Sequence, residues 1–399
     1  MDRRQFIQAG SAASVLGVAA GCASTGGGSG AGGNVVVVGG GYGGATAAKY
    51  IRMWSEGRVN VTLVEPNDSF ISCPISNLVI GGSKQMADIT TPYDNLARRH
   101  GVKIIKDRAV SIDAGKRTVT LAGGTVLPYD RLVLSPGIEF MWDALPGLKK
   151  PGAQDKVLHS WKAGPQTVAL RRQLEAMPDG GVYALTIPLS PYRCPPGPYE
   201  RACQVAHYFS KAKPKSKVLI LDANDDVTSK GPLFKKAWAD RYKGIIDYRP
   251  KHNLTDVDAA TGTLKFEFND DLKAQVLNVV PPQRAGDIAH NAGLTTANKR
   301  WCEVDWLTME SKAAPGVHIL GDALQIAPGM PKSGHMANQH GKVAAAAIVA
   351  LLSGRAPNAL PIYNNNCHSF LSATAAVTVA RGHPYDDAQQ TMPPVTRAG

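Results

Sequence analysis

The chain has 399 residues, 44% of them hydrophobic and 19% charged, enough apolar material for about two or three packed domains, and this composition excludes an intrinsically disordered protein. Lysine and arginine number 44 against 32 acidic residues, and the resulting net charge of +12 favours anionic substrates or an acidic partner through long-range steering. The basic residues are scattered and not interleaved with aromatics, which argues against nucleic-acid binding.

At the N-terminus, Arg3-Arg4-Gln5-Phe6-Ile7 is a twin-arginine pattern, followed by an apolar, Ala- and Gly-rich stretch through Ala20 that is too short to span a bilayer. It reads as an export signal and predicts a periplasmic protein. Twin-arginine export carries folded proteins, which suits an enzyme that acquires its cofactor in the cytoplasm. An ordinary amphipathic first helix is disfavoured because no charge interrupts Phe6 to Ala20. Cys22 follows Ala19-Ala20-Gly21 and precedes a Gly/Ser-rich tether, a context for lipid attachment; cleavage that discards Cys22 is the alternative. Residues 1–33 are read as lying outside the fold.

Val35 to Val38, the run Gly39 to Gly44, the helical stretch Ala45 to Trp54 and Val59 to Glu65 read as strand, glycine turn, helix and second strand. Gly39, Gly41 and Gly44 occupy the G-x-G-x-x-G positions, and Glu65 follows at about the twenty-residue spacing of a ribose-binding acid. The first glycine permits the tight turn, the second lets backbone approach a pyrophosphate, and the third closes helix onto strand. The motif predicts a bound dinucleotide without separating FAD from NAD. Gly316 to Ala323, a short strand ending in Gly321-Asp322, resembles the element of FAD-containing reductases whose Asp bonds the ribityl and pyrophosphate region, which implies FAD and carries that role onto Asp322.

Tyr129 to Gly137 resembles the strand and turn that closes such a domain. Beyond it, Val182 to Ile187, a helical stretch Tyr199 to Ala212, and Lys217 to Leu221 form a second strand, helix, strand unit. Its turn contains Arg193-Cys194-Pro195-Pro196-Gly197-Pro198, and three prolines with one glycine cannot build the backbone cradle that a nicotinamide dinucleotide needs. The fold expected is α/β, with two Rossmann-like dinucleotide-binding domains arranged as in glutathione reductase and a short C-terminal segment. A discontinuous FAD domain is assigned to 34–146 and 282–355, the second domain to 147–281, and a truncated segment to 356–399.

Six cysteines stand at 22, 73, 194, 203, 302 and 367, none in a C-x-x-C spacing, so no metal site or haem attachment is predicted within the chain. Ser72-Cys73-Pro74 through Gly82, Tyr192 to Ala202, Pro281 to Gly286 and Met330-Pro331-Lys332-Ser333-Gly334 together resemble the flavoprotein subunit of flavocytochrome c sulfide dehydrogenase. The resemblance implies that Cys73 forms a thioether to FAD, and that Cys194 and Cys367 form a redox disulfide beside the flavin. It also implies a c-type cytochrome partner. Family members continue with an aromatic-rich segment past the second redox Cys, and its absence here puts a tight cytochrome complex in doubt. Cys203 and Cys302 are read as structural.

Three further roles are expected. Cys194 sits before a helix whose dipole would favour its thiolate. Glu200 is the candidate base, with an exposed first-turn carboxylate as the alternative. Lys332, before the Ala-rich helix from Ser333, would face the flavin pyrimidine oxygen or else be a solvated lysine. The predicted activity is oxidation of sulfide or a related reduced sulfur compound through FAD to a cytochrome. Alternatives are an accessory thiol or sulfur oxidoreductase without a stable cytochrome subunit, and a flavin-bearing assembly subunit. A quinone-linked enzyme is disfavoured by the polar, Pro-rich end after Arg381.

Overall fold

The computed structural model describes residues 32–395. The twin-arginine segment and Cys22 lie outside the described residues. Two parallel sheets organise the chain. The first has five strands in the order Val317–Ile319, Arg131–Leu134, Gly33–Val38, Val59–Val64, Lys103–Ile105. The second has four, ordered Ile246–Arg249, Lys217–Asp222, Val182–Ile187, Val276–Val279. Strands covered on both faces carry continuous apolar runs, which is why Val35 to Val38 and Leu132 to Leu134 are all buried. This is the doubly wound α/β architecture expected from the sequence.

The chain leaves the first sheet through Ile138–Phe140 and returns through Gln283–Ala285, and these two segments pair antiparallel, Ile138 opposite Ala285 and Phe140 opposite Gln283. The outgoing and returning backbones therefore brace each other where they cross. The first helix spans Tyr42–Trp54, three residues earlier than its pattern indicates, because it starts inside the glycine motif. The second unit's helix spans Gly197–Ala212, with Pro198 in its first turn, where a missing N–H costs nothing.

The helix Gly334–Leu352 crosses Tyr42–Trp54 at close range. A Cβ on Gly341 would lie 2.6 Å from the Gly43 carbonyl oxygen, and Asn338 donates to Thr46 Oγ1 at 2.7 Å. This contact sets the N-terminus of the later helix beside the glycine turn. After it, Ile362–Phe370 and Ala376–Pro384 form an antiparallel hairpin with Cys367 opposite Val379. Sequence patterning does not indicate this hairpin.

Candidate functional site

A cavity of about 590 Å3 opens at the C-terminal ends of the first sheet's strands, lined there by Val38, Gly39, Val64, Glu65, Ser135 and Gly321. That end of a parallel sheet is where α/β folds bind ligands, and the volume suits a cofactor. Gly39 has φ +93, and a Cβ there would fall 2.4 Å from the Ser135 carbonyl oxygen. A Cβ on Gly44 would fall 1.9 Å from the Gly39 carbonyl oxygen, whereas one on Gly41 would meet nothing within 4 Å. The outer glycines thus close helix onto turn while the middle one leaves backbone open to a ligand. Glu65, just past the second strand, accepts from Gly40 N at 2.8 Å and from Asn67 N at 3.0 Å. Tyr93, which no sequence motif marks, donates to the Gly40 carbonyl at 3.0 Å and stiffens the same turn.

Asp322 lines the cavity, and its buried Oδ1 has no partner among the protein atoms. Burial pushes its carboxyl up, with Arg193 and Lys332 pulling the other way. A buried carboxylate oxygen without a donor is costly unless a ligand supplies one. The glycine cradle, the acid at the second strand and this orphan acceptor together fit a flavin dinucleotide. Gly39, Gly41, Gly44, Glu65 and Asp322 would hold it.

Lys332 also lines this cavity, but its ammonium is turned inward. It donates to the Asp322 carbonyl at 3.0 Å and to the Leu324 carbonyl, and lies 3.5 Å over the Trp301 ring. Burial pushes its pKa down to about 7. The solvated alternative does not describe it, since the residue is 2% exposed. Its backbone carbonyl accepts from Cys194 N at 2.7 Å, linking the two turns that carry the site.

Cys73 lines the same cavity. Its thiol donates to the Trp161 carbonyl at 3.0 Å and accepts from Arg193 Nη2 at 3.0 Å. Neither residue type nor spacing marks Arg193 in the sequence, although it stands beside Cys194 in the proline-rich turn. Cys194 has φ 57, a left-handed conformation uncommon for a non-glycine residue, and lies at the cavity wall, its sulfur close to Gly197. The direction of its pKa runs against the thiolate expected at a helix terminus. Burial pushes the Cys194 thiol well up, and the charges of Glu200, Cys367 and Cys73 add to that against Arg193. A helix terminus contributes at most about 2 kcal/mol in partly buried sites, and the desolvation of a thiolate outweighs it.

Glu200 is buried, 6% exposed, which removes the exposed-carboxylate alternative. Burial pushes it up to about 8, partly offset by the Asn77 side chain, the Lys230 charge and the Phe370 backbone N–H. Its neighbour Arg201 donates to Asn77 Oδ1, Asn278 Oδ1, and the His159 and Ser160 carbonyls at 2.7–3.0 Å, anchoring the helix to the Trp161 loop. Cys367 sits half-buried on the C-terminal hairpin and is not among the cavity-lining residues, yet a charge there is felt at Cys194. All five cysteines among the described residues are free thiols. Cys203 and Cys302 are fully buried, in keeping with a packing role.

Sequence and fold comparisons agree with this geometry. The central-domain profile of the sulfide dehydrogenase [flavocytochrome c] flavoprotein chain matches residues 167–281, and that of the pyridine nucleotide-disulphide oxidoreductases matches 33–177. The sulfide dehydrogenase flavoprotein chain of Chlorobaculum thiosulfatiphilum is 58% identical over 38 residues, 10% of this chain and 77% of that sequence. The mitochondrial sulfide:quinone oxidoreductase of Dictyostelium discoideum is 25% identical over 294 residues; the match takes in 70% of this chain and spans 63% of that protein's length. Among solved structures, the sulfide:quinone oxidoreductase of Aquifex aeolicus superposes with TM-score 0.72 at 19% identity, over 87% of this chain and 86% of that one. The NAD-dependent persulfide reductase of A. fulgidus gives 0.62 at 15%, over 89% and 71%. The glycine cradle, the proline-rich thiol turn and these matches place the chain in the family of flavocytochrome c sulfide dehydrogenase flavoprotein chains, within the FAD-dependent pyridine nucleotide-disulphide oxidoreductases.

Proposed function

We propose that this chain oxidises sulfide, or a related reduced sulfur compound, through a Cys194 and Cys367 redox pair and FAD, and passes the electrons to a c-type cytochrome. The observation that carries this reading is the placement of Cys194 in the wall of the dinucleotide cavity, with the raised carboxyl of Glu200 beside it. In the oxidised pair, hydrosulfide attacks the disulfide, a new S–S bond forms to one cysteine, and the other leaves as a thiolate. Glu200, with its pKa near 8, is matched to taking the proton from hydrogen sulfide or a thiol close to neutral pH. When bound, FAD supplies a two-electron acceptor that can release electrons singly, as a haem acceptor requires.

Cys73, held by Arg193 at the cavity, is the proposed point of covalent FAD attachment. The same reading places the mature protein in the periplasm after twin-arginine export, with Cys22 as a lipid anchor. A second reading, transfer to a quinone, is favoured by the similarity to two sulfide:quinone oxidoreductases. Anaerobic addition of sulfide to the purified flavoprotein should bleach its yellow absorbance, and Cys194→Ser should abolish the bleaching. Unchanged bleaching in that variant overturns the scheme. Reoxidation by soluble cytochrome c but not by a short-chain quinone separates the two acceptors. Mass measurement after acid denaturation should find FAD on the wild type and none on Cys73→Ser.

A further inference from the structure

Lys230 belongs to no motif, and three observations set it apart. Its ammonium donates to Ser369 Oγ at 2.8 Å, to the Cys367 carbonyl at 2.8 Å and to Cys367 Sγ at 3.4 Å. Its backbone is left-handed, with φ 59, a conformation that favours glycine or asparagine over lysine. It is also the N-cap of the helix Gly231–Arg241, where the partial positive charge of the helix terminus repels a cation. Neither local cost serves the helix. Both hold a cation against a cysteine 137 residues away in sequence.

The two cysteines of the proposed pair therefore sit in unlike fields. Around Cys367 stand Lys230 from the helix turn, with Glu200 facing that ammonium, Cys194 from the proline-rich turn, and His368 on its own strand, whose Nδ1 is engaged with Thr378 Oγ1 at 2.8 Å. The Lys230 ammonium is the cation among these that contacts Sγ. Around Cys194 stand Glu200 and Cys73, with the Arg193 guanidinium engaged by Cys73 Sγ.

Resting on the proposed sulfur chemistry, we infer that Lys230 makes Cys367 the leaving sulfur, so that incoming hydrosulfide adds to Cys194. The step balances as hydrosulfide anion plus the Cys194–Cys367 disulfide, giving a persulfide on Cys194 and a thiolate on Cys367. One S–S bond forms, one breaks, and the electron pair of the broken bond stays on Cys367 beside the ammonium. A better-stabilised thiolate leaves faster, which selects the sulfur attacked.

Two measurements on the full-length flavoprotein test this. In the first, the reduced protein is treated with iodoacetamide at neutral pH and the alkylation rate of Cys367 is read by peptide mass. Lys230→Met should slow Cys367 on the order of tenfold, because the thiolate is the reacting form, and Lys230→Arg should restore most of the rate. A lysine that only tied the hairpin down would leave the rate unchanged or raise it as the hairpin loosened, and either result overturns the assignment. In the second, the oxidised protein receives one equivalent of sulfide anaerobically and the persulfide is located by mass. Persulfide on the Cys194 peptide is expected, and persulfide on the Cys367 peptide refutes the inference. Persulfide on neither, with Cys367 alkylation still dependent on Lys230, would sink the sulfur chemistry while leaving the Lys230 contact standing.

Discussion

The molecule contains two strand, turn, helix units with the same backbone plan and opposite turns. In the first, the glycines at 39 to 41 strip away side chains so that backbone can approach a ligand. In the second, Arg193 to Pro198 fills the corresponding place with prolines and one thiol, and the left-handed position belongs to Cys194 instead of a glycine. The contrast teaches that a dinucleotide fold can keep its topology while one turn exchanges a phosphate cradle for a reactive sulfur.

The largest effect that would test this contrast is expected at Gly44. A Cβ there collides with backbone that cannot give way, so Gly44→Ala should lose about 3 kcal/mol or more of stability together with FAD content, measured by thermal unfolding and by flavin per chain. Near-normal flavin loading would break the assignment of the first turn as the cradle. Glu200 comes next. Glu200→Gln should slow sulfide-dependent flavin reduction by about 10^2-fold or more and erase the rise in rate through pH 8, with the fold retained by circular dichroism.

Buried histidines provide a test that involves neither turn's chemistry. Burial pushes His340 down to about 3 and His318 to about 4, from an ordinary 6.5. Their folded values are depressed, so the unfolded chain takes up protons first on acidification. Stability is fully present above pH 6.5 and falls as pH drops toward 4, by up to about 1.4 kcal/mol per pH unit for each histidine. Urea unfolding at pH 7.5, 6 and 5 checks this, and a flat profile would contradict the burial. The smallest effect is expected at Gly197. There a Cβ meets Cys194 Sγ at 2.9 Å and the Trp161 ring at 3.0 Å, side-chain atoms that can shift. Gly197→Ala should cost only about 1 kcal/mol yet change the alkylation rate of Cys194, so the second turn tolerates what the first does not.

Much of this architecture is legible in the residues alone. The valine run ahead of Gly39, the glycine spacing and the acid at 65 are local signals, since a buried parallel strand and a phosphate turn each demand particular residues at fixed offsets. The strand Val182–Ile187 is legible for the same reason. The C-terminal hairpin is not. Asn364-Asn365-Asn366 has poor strand propensity, and the strand exists through pairing with Ala376–Pro384. Lys230 and Arg193 are equally hidden, because a side chain's reach to a distant sulfur leaves no periodic trace.

By itself the sequence determined the α/β plan, the dinucleotide cradle and the set of cysteines, all of which follow from residue type and spacing along one stretch of chain. The tertiary structure decided which charges those sulfurs meet. It buried Glu200 and raised it, turned Lys332 into the core, pushed the Cys194 thiol up in spite of its helix, and brought Lys230 to Cys367. Desolvation and charge depend on what packs around a group, and that is settled by segments far apart in the chain.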